Sequence, residues 1–457
     1  MRTDASEGAH RKPRLRCVRR GQESAYDQLM RTRFAFGKHG IEVPVPEGFD
    51  CRVLQGHSAP ALADLSGALD AALDCPIGCA PLAELAAGKR TVAIAVCDIT
   101  RPAPNALTLP PLLHRLHAAG IPPEGITILI ATGLHRAASQ EELEIILGPA
   151  IASSYRVVSH DARDRAAHYS LGVTRRGTPV FIDERFLAAD LHITLGFVEP
   201  HLMLGFSGGR KLIAPGLAAQ ETIKVLHAPA FMREPLAIEG SIRANPLHAE
   251  LVEIASMARH DFLLDVTLTP GRRVSGVFAG DPLRAHAAAV DFFTAAALET
   301  LPEPVDAVIT SAAGYPLDLT FYQTVKGVTA AQHIVKPGGR ILILGECAEG
   351  IGSPEFVRTL RSYQGHAAFL DAIRELPVEI DQWQLEKLAL ASIDHDLLFY
   401  TPGAARDQLG SLAASAFTSL DKAIAALLHD LPRQAAIALI PEGPYTYARV
   451  EPEPAIH

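Results

Sequence analysis

The stretch Thr91-Val-Ala-Ile-Ala-Val-Cys-Asp-Ile-Thr-Arg-Pro102 carries the fold in short form. Its first half is an unbroken apolar run, too short for an ordinary helix, and it lacks the alternation of a strand with one wet face. A buried strand fits. Its second half puts an acid, a hydroxyl and a guanidinium into one turn, and Pro102 prevents the strand from continuing. The same grammar recurs outward along the chain. Runs at 126–131, 155–158, 191–195, 305–310 and 340–344 read as strands, and the Ala/Leu-rich stretches 107–119 and 281–301 read as helices between them. Strands alternating with helices predict an α/β protein with largely parallel sheets covered by helices. Pro302-Glu-Pro304 looks like a joint, so a first domain is expected at 30–298 and a second at 299–457, with the active site in the cleft between them. A late run at 435–440, followed by Pro-Glu-Gly-Pro, is expected to return a final strand to the second sheet.

Composition narrows the function. The chain has 457 residues, 48% hydrophobic and 20% charged, with a net charge of −9, so it is globular and repels phosphate backbones and anionic lipid. Nucleic acid and membrane are therefore not expected as partners. No apolar run approaches the roughly 18 residues of a bilayer span. Six cysteines without metal-ligand spacing argue against a disulfide framework and fit a cytoplasmic protein. Residues 1–29 carry a basic cluster from Arg11 to Arg20 with no apolar segment after it, and are expected to be a tail, with the ordered chain starting near Met30.

Parallel sheets bind ligands beyond the carboxyl ends of their strands. There the sequence places Asp98-Ile-Thr100-Arg101, then Thr132-Gly-Leu-His135-Arg136, then Glu199-Pro200-His201 and Ser207-Gly208-Gly209-Arg210-Lys211, and finally Ser311-Ala-Ala-Gly-Tyr315-Pro316. Each has an ordinary reading. Asp98 and Arg101 can close a turn as an ion pair, His135 can cap a helix, and His201 or His227 can be a hydrogen-bonded core imidazole. Gln323 and Lys326, three apart on a helix, can be a solvated pair. Ser207-Gly-Gly-Arg-Lys211 suggests an anion cradle but lacks P-loop spacing.

Taken together, these residues resemble in order and spacing the lactate racemase family that uses the nickel-pincer nucleotide. Gly205-Phe-Ser-Gly-Gly-Arg-Lys-Leu-Ile-Ala-Pro-Gly216 is the most specific part, and the resemblance covers about 34 to 450. It implies a 2-hydroxy acid racemase or epimerase, with lactate as the default substrate. It further implies nickel carried by a pyridinium-3,5-bisthiocarboxylate mononucleotide, the nucleotide held covalently by Lys211 and the metal by His227. His135 and His201 become the acid/base pair. Asp98, Thr100, Arg101, Ser207, Gly208, Gly209, Gln323 and Lys326 would line cofactor and substrate, and Tyr315, Leu317 and Tyr322 would shape the substrate pocket. Arg210 is expected to depress the ammonium pKa of Lys211. Proteins that load the cofactor are expected partners. Two other readings stay open: a nucleotide-dependent oxidoreductase or methyltransferase, from Val335-Lys-Pro-Gly-Gly-Arg340 before a strand, and a non-catalytic relative that only binds.

Overall fold

The computed structural model describes residues 31–451 except Ala405 and Ala414, so the expectation of a basic tail at 1–29 falls outside the described residues. Twelve strands form the two large sheets: β1 (Asp50–Val53), β2 (Val92–Cys97), β3 (Ile126–Ala131), β4 (Arg156–Ser159), β5 (Leu191–Phe197), β6 (Phe262–Leu268), β7 (Val274–Gly280), β8 (Val305–Ser311), β9 (Val335–Leu344), β10 (Asp396–Tyr400), β11 (Ala416–Phe417) and β12 (Ala436–Ile440). The first sheet has the order β7-β6-β5-β2-β3-β4 and is parallel except for the β6–β7 pair. The second has the order β11-β10-β9-β8-β12-β1 and is parallel throughout. This is the α/β architecture that the alternating pattern implies.

Every residue of β2 and of β5 is buried, which is why β2 reads as a continuous apolar run; the two polar residues of β5, His192 and Thr194, bond to Asp261 and His260. Helices cover both faces. The first sheet shares one core with helices such as Leu65–Asp74, Asn105–Ala118 and Pro246–Met257. The second is packed on one face by Phe321–Ala331 and Gln382–Asp394 and on the other by the hairpin Arg31–Phe34/Ile41–Pro44 with helix Leu420–Leu428.

Two placements differ from the sequence reading. Residues 31–53, expected to open the first domain, lie on the second sheet: Phe34 and Val43 enter its core, and β1 pairs in parallel with β12. Short strands without a local partner leave no periodic signal of where they dock. The stretch 281–301 is not one helix. Its helix ends at Ala297, and Leu298–Leu301 becomes a strand parallel to Tyr447–Val450, alternating exposed and buried ahead of Pro302. No helix among the described residues is long and apolar enough to cross a membrane.

Candidate active site

Strands β5, β2 and β3 are neighbours, so the loops after them form one edge. Facing that edge, the second sheet contributes helix Phe321–Ala331 and the start of helix Gln382–Asp394. Between them lies a cavity of about 410 Å³. It is lined by Asp98, Thr100, Arg101, His135, His201, Ser207, Gly208, Lys211, His227, Gln323 and Lys326, together with Leu317 and Tyr322. Residues separated by more than 220 positions thus meet in one place. Tyr315 is not among them; it is half exposed, with Lys38 Nζ 4.9 Å from its ring centre, because the loop carrying it turns toward the hairpin at 31–44. The turn at 335–340 lies at the amino end of β9, opposite the edge where the other loops gather, which removes the geometric basis of a methyltransferase reading.

Asp98 is buried and pairs not with Arg101 but with His135, whose Nδ1–H donates to Oδ2 at 2.7 Å. Thr100 fixes the other oxygen, donating from its backbone N–H at 3.2 Å and its hydroxyl at 2.6 Å. Burial pushes the Asp98 carboxyl up, but His135, Thr100 and Arg101 outweigh it and hold the group below the usual carboxylate range. A pinned carboxylate keeps a proton on His135 Nδ1 and leaves Nε2 as the nitrogen it does not engage. His135 is exposed at the rim and caps no helix; the next helix begins after Ser139, which caps it.

His201 has the opposite arrangement. Its Nδ1 accepts the backbone N–H groups of Leu204 at 3.4 Å and Met203 at 3.5 Å, so the ring proton sits on Nε2. Burial, then the charges of Lys211, Arg101 and Lys326, push its pKa well below the ordinary histidine value. The two imidazoles are therefore held through Nδ1 in opposite ways, His135 by an acceptor and His201 by two donors.

Lys211 follows a turn whose shape only glycine allows. Gly208 has φ +90, and a Cβ there would lie 2.4 Å from Asp265 Oδ2. Three donors of this turn are used internally: Gly209 N–H reaches Asp265 Oδ1 at 3.4 Å, Ser207 N–H reaches Glu199 O at 2.9 Å, and the Ser207 hydroxyl reaches Phe197 O at 3.0 Å. These bonds brace the turn from which Lys211 projects; Ser207 and Gly208 line the cavity, whereas Gly209 packs against Leu263. Arg210 also turns away, donating to the carbonyls of Gly208, Leu204 and Phe206 at 3.3, 3.1 and 2.9 Å. The Lys211 ammonium is indeed pushed well below its ordinary pKa, but by burial and then by Arg101 and Lys326, not by its sequence neighbour.

His227 is buried, and its Nδ1–H donates to Ile223 O at 2.7 Å, leaving Nε2 bare. Burial lowers its pKa to about 4, so it is neutral over the physiological range. Trp383, the chain's single tryptophan, packs on it with ring centres 4.3 Å apart. Burial, followed by Arg101, lowers Lys326 to about 7, whereas Arg101 stays charged because Glu199 and Asp98 more than offset its desolvation.

Sequence reasoning passed over Glu199, Asp381, Trp383 and Gln384. Glu199 sits two residues before His201 and borders a small adjoining pocket with Arg101 and Lys326. Its position beside Pro200-His201 was a usable signal; nothing in the sequence around 381–384 was.

Comparison with known proteins agrees with this geometry. The family description "Lactate racemase N-terminal domain" matches residues 36–239, and "Lactate racemase C-terminal domain" matches residues 301–445. Lactate racemase of Lactiplantibacillus plantarum is 34% identical over 379 residues, 82% of this chain and 89% of the relative. That of Thermoanaerobacterium thermosaccharolyticum is 33% identical over 378 residues, 81% of this chain and 88% of the relative. The solved apoprotein of the lactate racemase from T. thermosaccharolyticum superposes with a TM-score of 0.83 at 30% identity, covering 92% of this chain and all of that one. A Thermotoga maritima protein shares the fold at a TM-score of 0.63 and 18% identity, over 81% of this chain and 96% of that one. The protein is an enzyme of the isomerase class, a racemase. It belongs to the lactate racemase family.

Proposed function

We propose that the protein inverts C2 of a 2-hydroxy acid with a nickel-pincer nucleotide tethered to Lys211, and that lactate, named in its relatives, is the simplest substrate to try. The observation that carries this is the convergence of His135, His201, Lys211 and His227 on one cavity lined also by Arg101 and Lys326.

The donors suit the cofactor. Lys211 offers an amine whose proton burial and two neighbouring cations loosen, toward the neutral form that acylation needs. His227 offers a neutral imidazole nitrogen, a good nickel ligand, with its other nitrogen fixed by a carbonyl. Among the described residues no three His, Cys, Asp or Glu side chains gather into a metal site, so nickel held here has to bring other ligands with it. When bound, the nucleotide supplies a hydride acceptor, which avoids forming a carbanion next to a carboxylate.

The remaining work falls to the chain. Arg101 and Lys326 hold the substrate carboxylate. His135, its Nδ1–H fixed by Asp98, accepts the hydroxyl proton at Nε2 and stabilises it through the carboxylate behind. His201 faces the cavity and serves the opposite enantiomer: in each direction one imidazole enters neutral and takes the hydroxyl proton, while the other enters protonated and returns one. Trp383 and Tyr322 line the cavity from the second domain's side.

Protein purified from cells that also make the cofactor should contain nickel and convert D- to L-lactate or another 2-hydroxy acid; absence of both would sink the proposal. His227→Ala should lose nickel, measured by elemental analysis, while denaturing mass spectrometry still finds the organic part on Lys211.

A pH dependence follows. Lys326 loses its proton near pH 7 in the free protein, so one of two carboxylate-holding cations fades as pH rises, and KM should increase above about pH 7. Lys326→Arg stays charged. It should flatten that rise, and an unchanged profile in the variant would exclude Lys326 as the titrating group.

A further inference from the structure

The cavity has a second wall that proton transfer and tethering do not use. Helix Gln382–Asp394 starts at this wall and brings Asp381 and Gln384 to the lining. Asp381 stands in the left-handed backbone region at φ +66, which Asp adopts more readily than most residues. Its Oδ2 accepts the Ser353 hydroxyl at 2.6 Å, and the Tyr322 hydroxyl bonds to the same carboxyl. Two partners leave lone pairs free. Gln384 is 2% exposed, and its amide Nε2 has no partner among the described residues. Glu355 adds a second carboxylate to this side.

A buried amide donor without a partner is costly, and so is a carboxylate faced by a methyl group. The methyl of lactate offers neither a donor to Asp381 nor an acceptor to Gln384. A second carboxylate on the substrate would be repelled by Asp381 and Glu355. A hydroxyl does both jobs, donating to Asp381 and accepting from Gln384.

We infer that this wall selects 2-hydroxy acids whose remaining carbons carry hydroxyl groups, with Asp381 and Gln384 as specificity-determining residues. The inference rests on the racemase reading above and names the substrate class for the same site. For such a substrate the reaction is an epimerisation. The C2–H bond breaks and is remade on the opposite face, one imidazole takes the hydroxyl proton while the other returns one, and no oxidant or reductant is consumed.

The test compares D-gluconate, D-lactate and L-malate as substrates of the cofactor-loaded full chain, and as ligands of the cofactor-free chain by titration calorimetry. Gluconate should exceed lactate in kcat/KM by at least about tenfold, with malate last, because a site built around polar partners rejects analogues that lack them. Asp381→Ala and Gln384→Leu should each lower gluconate turnover by about tenfold or more, and by a larger factor than they lower lactate turnover. Preference for lactate, or variants that lower both substrates by one factor, would overturn the assignment. If the loaded enzyme inverts none of the three nor any other 2-hydroxy acid, the nickel-pincer reading above fails. The calorimetric order then decides this inference alone: tighter gluconate supports it, and equal or reversed affinities refute it.

Discussion

Lys211→Ala, produced in cells that make the nickel cofactor, should leave the column at the bare polypeptide mass under denaturing conditions and show no racemisation above background. The wild-type chain should keep the added mass. The argument is electrostatic before it is chemical. Lys211 is enclosed beside Arg101 and Lys326, so its charged form is opposed twice over and its neutral, nucleophilic form is favoured. Removing the side chain removes the nucleophile and not the fold, because Gly208, Gly209 and the bonds that the Ser207 hydroxyl and the Arg210 guanidinium donate to backbone carbonyls shape the turn without it. Thermal unfolding should therefore move by only a few degrees, the range of about 1 kcal/mol. Lys211→Arg should also remain untethered, since a guanidinium keeps its proton and does not acylate. A variant that still carried the mass would place the anchor elsewhere.

The second large effect is expected at the rim. His135→Gln should lower kcat by about 10² to 10⁴, the usual contribution of a positioned acid or base, while nickel content and cofactor mass stay at wild-type levels. Both directions should suffer equally, because inversion uses the same imidazole once as base and once as acid. Asp98→Asn should reproduce part of the loss. An amide cannot stabilise the proton that His135 takes up, and its NH₂ can face Nδ1 and favour the wrong tautomer. His201→Gln should also lose turnover, and there a partner substitution has no counterpart, because His201 is held by the backbone of Met203 and Leu204. If His135→Gln kept more than about a tenth of wild-type kcat, proton transfer would have to be assigned to another group.

Much of this site could be read from the chain because its residues stand directly after strands that announce themselves. Val92–Cys97 and Leu191–Phe197 are buried throughout, so the polar residues that follow them stand out. The pairing of those residues could not be read. Asp98 is three residues from Arg101 and thirty-seven from His135, yet it bonds the latter, because adjacent parallel strands bring the ends of β2 and β3 side by side. Local spacing likewise suggested Arg210 as the group acting on Lys211, whereas successive side chains after a glycine turn diverge, and Arg210 spends its donors on three carbonyls. The wall formed by Asp381, Trp383 and Gln384 gave no sign at all. It stands at the start of a helix whose apolar stripe, Leu385, Leu388 and Ala389, faces the second core, while the buried Gln382, Gln384, Glu386 and Lys387 carry no periodic signal of the side that faces the cavity.

The pairing of Asp50–Val53 with Ala436–Ile440 also has a temporal meaning. A ribosome releases the first sheet's strands between residues 92 and 280, so that half can consolidate while synthesis continues. The other half has to hold its opening strand in reserve for nearly four hundred residues until its mate emerges. Closing so distant a pair is slow, and an unmated edge invites wrong neighbours. Chaperone demand should accordingly concentrate late in translation, and pulse-labelled nascent chains stopped before residue 436 should remain protease-sensitive from 300 onward while the region around β2 to β6 resists.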